Sequence, residues 1–99
     1  MSEQVYRDIQ EAIFYKKNLG TYENNLSNFS KKVAMCIKKM EVSPKIGSKL
    51  SLRIPLDTQV KYQIIDDYIL FYEIVDLQVF VLRLLPAKSN WMRSILKHI

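Results

Sequence analysis

Residues 60–86, VKYQIIDDYILFYEIVDLQVFVLRLLP, decide the fold. Their β-branched and aromatic content predicts strands over 60–65, 68–75 and 78–86, separated by Asp66-Asp67 and Asp76-Leu77. Separators of two residues are hairpin turns. Connections this short force neighbouring strands to run antiparallel, because a parallel crossover takes about a dozen residues.

Working outward toward the N-terminus, residues 49–56 also alternate. Leu50, Leu52, Ile54 and Leu56 fall on one side, and Lys49, Ser51 and Arg53 on the other. This predicts a further strand. Before it, Val42-Ser43-Pro44-Lys45-Ile46-Gly47 breaks a helical period with both Pro and Gly. Residues 3–18 carry Val5, Ile9, Ala12 and Ile13 on one helical stripe, and residues 22–41 carry Leu26, Phe29, Val33, Ile37 and Met40. Leu19-Gly20 is a left-handed helix stop and Thr21 a cap for the next start, so the two helices form an antiparallel hairpin. Beyond the strands, residues 89–98 read as a short helix with Trp91, Ile95 and Leu96. The predicted architecture is α+β in a single domain, residues 1–99. An N-terminal antiparallel helical hairpin packs on one face of a three- to four-stranded antiparallel sheet, followed by a short C-terminal helix.

Composition narrows the function classes. Apolar residues make up 48% and charged residues 25%, an ordinary globular balance that argues against disorder. Cys36 is the single cysteine and His98 the single histidine, which excludes an internal disulfide and leaves no zinc-ligand spacing. No phosphate-binding glycine loop and no Ser/His/Asp arrangement is present. The expectation is a protein without metal or small-molecule cofactor. Apolar runs stay far below the roughly 20 residues that span a bilayer. Glu3, Asp8 and Glu11 interrupt the first 20 residues, so no signal peptide and no membrane association are expected. Together with the lone cysteine this points to the cytoplasm.

The net charge of +5 is unevenly spread. Residues 31–53 carry seven cations and one carboxylate, residues 54–76 one cation and five carboxylates, and residues 77–99 four cations and no acidic side chain. Two basic blocks bracket an acidic middle. That distribution fits a surface for phosphate or an acidic partner, and equally an ordinary solvated face. Period-2 alternation sharpens it. If the hairpin covers the Leu50, Leu52 and Ile54 side, then Lys49, Arg53, Lys61, Gln63 and Arg83 point to the opposite, uncovered face. Lys88, Trp91 and Arg93 follow directly after the last strand. Cations of this kind neutralise phosphates and stabilise developing negative charge, and an aromatic ring stacks on an unpaired base. The competing reading is a solvated sheet face with Trp91 packed on the core. Asp66-Asp67 reads as a turn and Cys36 as a half-buried thiol.

The order of elements resembles the RelE/ParE superfamily of bacterial toxin–antitoxin toxins, over about residues 5–96. Pro44-Lys45-Ile46-Gly47 resembles the family's Pro-x-x-Gly lead into the sheet, and Lys61-Tyr62-Gln63 with Tyr68–Ile74 resembles its basic strand and Tyr-rich strand. Val81–Met92 with Ile95-Leu96 is similar to the final strand and tail. The resemblance implies a small basic toxin, neutralised by a cognate acidic antitoxin. RelE-like members cleave messenger RNA on the ribosome and inhibit translation, whereas ParE-like members poison DNA gyrase. Position by position, Arg83 matches the strand arginine, Lys88 the basic tail residue, and Trp91 an aromatic usually Tyr or Phe. Gln63 stands where Arg is usual, Pro86 where many relatives have His, and Asn90 where many have Asp. The first strand before the first helix is absent or reduced. The expectation is a metal-independent, ribosome-dependent endoribonuclease causing growth arrest. Arg53, Lys61 and Arg83 hold the phosphate, Lys88 transfers a proton, and Lys49, Gln63, Trp91 and Arg93 bind RNA. A gyrase inhibitor and a catalytically degenerate binding module are the alternatives.

Overall fold

A computed structural model describes residues 3–18, 23–43, 46–54 and 57–98. The helical stripes form α1 (Glu3–Asn18) and α2 (Glu23–Val42). Their inward residues are the expected ones: Val5, Ala12, Phe29, Val33 and Met40 are buried, with Ile9 and Ile37 packed beside them. The helix stop at Leu19-Gly20, the cap at Thr21 and the Pro44-Lys45 pair lie outside the described residues, as does the Leu26 side chain.

The sheet contains β1 (Ser48–Lys49), β2 (Lys61–Ile65), β3 (Tyr68–Val75) and β4 (Gln78–Pro86), antiparallel throughout and in chain order. Both expected hairpin turns are present. Asp66 closes the first with φ +54°, and Asp76 and Leu77 close the second with φ +51° and +67°, the left-handed pair a two-residue hairpin turn uses. The first turn is also anchored to both helices. Lys16 Nζ reaches Asp67 Oδ1 at 2.8 Å while lying 4.7 Å from the Phe29 ring centroid, and Lys32 Nζ reaches Asp66 Oδ1 at 2.9 Å. After β4 come α3 (Trp91–Ile95) and a 3₁₀ turn over Leu96–His98.

The fold is therefore α+β: two N-terminal helices packed on a four-stranded antiparallel sheet, with a short C-terminal helix. Among the described residues, no helix is long and apolar enough to cross a membrane.

Two expectations are corrected. Of the strand predicted over 49–56, only Lys49 lies in a strand, at the end of β1; Leu50–Leu52 is a 3₁₀ turn, closed by Arg53 N–H donating to Leu50 C=O at 2.8 Å, and Pro55 and Leu56 lie outside the described residues. Leu50 and Ile54 are buried in either geometry, since a spacing of four satisfies both a strand and a helical turn. Leu52 distinguishes them, and it is 82% exposed.

The second correction concerns the uncovered face. One core lies under the hairpin and includes Leu70, Tyr72, Val81 and Leu84. A second lies on the other side of the same sheet, where Leu50, Ile54, Val60, Tyr62, Ile69, Phe71 and Leu85 meet Ile95 of α3, with Leu82 and Trp91 beside them. The 3₁₀ turn and α3 thus cover much of the face that alternation left bare.

Candidate functional site

The fate of Arg83 decides what this sheet can do. Between Phe71 and Tyr72 the β3–β4 register slips: Phe71 pairs with Arg83 and Tyr72 with Val81, so β4 carries one extra residue. Such a bulge re-aims a side chain. Arg83 turns to α1 and forks onto Asp8, with Nε to Oδ2 at 2.7 Å and Nη2 to Oδ1 at 3.1 Å. Leu84 N–H donates to Asp8 Oδ2 at 3.0 Å and Gln4 Nε2 to Oδ1 at 3.2 Å. The Asp8 side chain is only 2% exposed and that of Arg83 18%. A buried carboxylate is tolerated only when paired and hydrogen-bonded, and here the guanidinium and the strand amide do both.

Asp8 was missed in the sequence, yet its signal was present. It stands three residues after Val5 and four before Ala12, on the buried stripe of α1. A carboxylate on such a stripe requires a cation from a neighbouring element.

The other expected site residues divide between the two sides of the sheet. Lys61 pairs across with Tyr72, Gln63 with Leu70, and Lys49 with Lys61, so these three share the side on which the hairpin packs. Gln63 is held there: Cys36 Sγ donates to its Oε1 at 3.2 Å, and its Nε2 is buried without a partner among the described residues. Burial raises the Cys36 thiol above its ordinary value, against the nearby Lys39 ammonium, which lowers it. Tyr72 is raised chiefly by burial, and its hydroxyl donates to the Ile46 carbonyl. Gly47, at φ +96°, makes room for that hydroxyl, because a Cβ there would fall onto it.

Arg53 belongs to the opposite side, with its guanidinium carbon 5.2 Å from the Tyr62 ring centroid. Trp91 lies on that side too, half-buried, its ring centroid 5.4 Å from that of Phe71. Lys88 and Arg93 are exposed. The convergence of Lys49, Arg53, Lys61, Gln63 and Arg83 on one bare face is therefore not found. Lys49, Lys61 and Gln63 share a side as expected, but it is the side the hairpin covers, and the bulge and α1 leave the Arg83 side chain only 18% exposed.

What remains is cations on both sides of the sheet: Lys49 and Lys61 on the side where the hairpin packs, and Arg53, over the Tyr62 ring, on the side that carries Trp91. Either suits anion recognition. Among the described residues, no group of three or more His, Cys, Asp or Glu side chains is placed to hold a metal ion. The arrangement defines a basic α+β module whose sheet carries a core on each face. No protein-family model and no curated protein matches the chain.

Proposed function

We propose that this chain is a toxin of the RelE/ParE type from a type II toxin–antitoxin pair, acting in the cytoplasm by binding its target rather than by cutting RNA. The observation that carries the reading is the Asp8–Arg83 fork. The residue that the family resemblance assigns to the phosphate is engaged by a buried carboxylate, and Gln63 stands where a second arginine is usual. The element order of helical hairpin, four antiparallel strands and terminal helix supports the toxin class. DNA gyrase is the target that the resemblance supplies for members that act without cleavage.

A ribosome-dependent endoribonuclease is the second reading. It is favoured by one observation: Arg53 retains an exposed guanidinium over Tyr62, on the side of the sheet that also carries Trp91. Induced expression in bacteria, with and without an acidic protein encoded next door, tests the class. Growth arrest relieved by that neighbour is expected, and unimpaired growth contradicts it. Purified protein added to gyrase then separates the targets: inhibited supercoiling supports the first reading, and unaffected supercoiling removes it.

A further inference from the structure

The turn between β3 and β4 contains a residue that its backbone does not favour. β2 begins at Lys61, opposite Tyr72, so residues 73–80 extend past it as a two-stranded ribbon. At the tip of this ribbon Asp76 and Leu77 hold φ at +51° and +67°. Glycine, asparagine and aspartate tolerate that region, whereas leucine is strained there. Leu77 is also 85% exposed, so the fold bears the strain without burying the side chain. Val75 and Phe80 are exposed as well, and the register places them with Glu73 on one face of the ribbon. Strain kept at an exposed apolar residue points to a contact made outside the chain.

The outer face of α2 offers the complement. Met35 and Val42 are exposed there, with the exposed Lys38 and Lys39 between them in the chain. Together with Ile46 they border a recess of about 340 Å³, and no described residue of the ribbon lines it. The recess combines apolar side chains with two ammonium groups, whereas the tip combines apolar side chains with the carboxylates of Glu73 and Asp76. Among the described residues, none of these four charged groups belongs to an ion pair.

We propose that the β3–β4 tip of one copy docks into the α2 recess of a second copy, with Leu77 entering it and Asp76 facing Lys38 and Lys39. Charge selects this occupant. Glu73 and Asp76 would repel an anionic membrane or a nucleic acid from the tip. A second copy instead presents an apolar recess with cations beside it. The two patches differ, so each contact takes a tip from one copy and a recess from another. Either patch can therefore be removed while the other is kept. The inference rests on strain, exposure and charge, and it stands or falls separately from the toxin reading.

The test is analytical ultracentrifugation of the full chain and three variants, each with its urea unfolding midpoint measured in parallel. Wild type is expected to self-associate with a Kd below about 1 mM. Leu77→Asn should weaken this at least about tenfold without lowering the urea midpoint, because asparagine accepts the left-handed backbone and only the contact loses its anchor. Asp76→Asn, which also suits the turn, should weaken it about threefold. Val42→Glu, at an exposed position, should abolish it from the recess side. An equimolar mixture of Leu77→Asn and Val42→Glu should nevertheless form a complex, since the first keeps an intact recess and the second an intact tip. Wild type that stays monomeric up to about 1 mM overturns the proposal. So does association that survives Leu77→Asn, or a mixture that stays monomeric. A wild-type monomer that binds phosphatidylcholine vesicles through Leu77 overturns it as well. Leu77→Asn keeps the fold intact, so a folding defect in Val42→Glu does not blunt the test.

Discussion

Replacing Arg83 by methionine keeps most of the side chain's volume and removes the cation. The Asp8 carboxylate, 2% exposed, is then left with only two neutral donors, Leu84 N–H and Gln4 Nε2. Stranding one partner of a buried ion pair costs about 3–5 kcal/mol. For a domain of about 100 residues, each kcal/mol lowers Tm by about 4–8 °C, so Arg83→Met is expected to lower Tm by at least about 12 °C. The double variant Asp8→Leu/Arg83→Met removes both charges and recovers most of the loss, leaving about 1 kcal/mol for the Leu84 amide that loses its acceptor. Urea unfolding of wild type, both single variants and the double variant closes a thermodynamic cycle with a coupling of about 3 kcal/mol. A single variant within about 1 kcal/mol of wild type, the scale of a surface pair, refutes the reasoning. So does a double variant no more stable than Arg83→Met. The cycle also separates two roles for this arginine: a phosphate ligand would lose activity at unchanged stability, whereas a structural cation loses stability first.

Other expectations follow from the same packing. Gly47→Ala sets a Cβ against the Tyr72 hydroxyl at a left-handed φ and should cost about 1–3 kcal/mol by chemical denaturation; adding Tyr72→Phe should return part of it, and a neutral Gly47→Ala contradicts the close approach. Burial alone would raise the Asp67 carboxyl, but the Lys16 hydrogen bond and charge outweigh it and hold it below its ordinary value. The stability it contributes is present above that ordinary value and is lost as pH falls through the lowered one. Asp67→Asn should therefore flatten the acid limb of a pH–stability curve, and an unchanged limb counts against the contact. Cys36, held protonated by burial, should react with a disulfide reagent at least about tenfold more slowly than free cysteine at neutral pH, and equal rates contradict its placement.

How much of this was legible in the sequence depends on whether a local period had one solution or two. The three long strands and both helices follow from patterns that only one structure satisfies, and the Asp66-Asp67 and Asp76-Leu77 turns follow from the two-residue gaps between them. Leu50 and Ile54 fit two structures, and only the exposure of Leu52 separates them. The placement of the cations failed for a different reason. Alternation assigns residues to two sides of a sheet but does not say which side is covered. The continuous run Tyr68-Ile69-Leu70-Phe71-Tyr72, apolar at every position, is the mark of a strand buried on both faces, and it foretold the second core. The β4 bulge has no comparable mark in Val81-Leu82-Arg83-Leu84, so the turn of Arg83 toward α1 was visible only through Asp8 on the buried stripe of its partner helix.

The most direct test of binding without cleavage is primer extension on a messenger RNA held in purified ribosomes with the protein in excess. A full-length product is predicted, since the strand arginine is committed to Asp8. Cleavage products that disappear in an Arg83 variant of unchanged Tm would contradict the account.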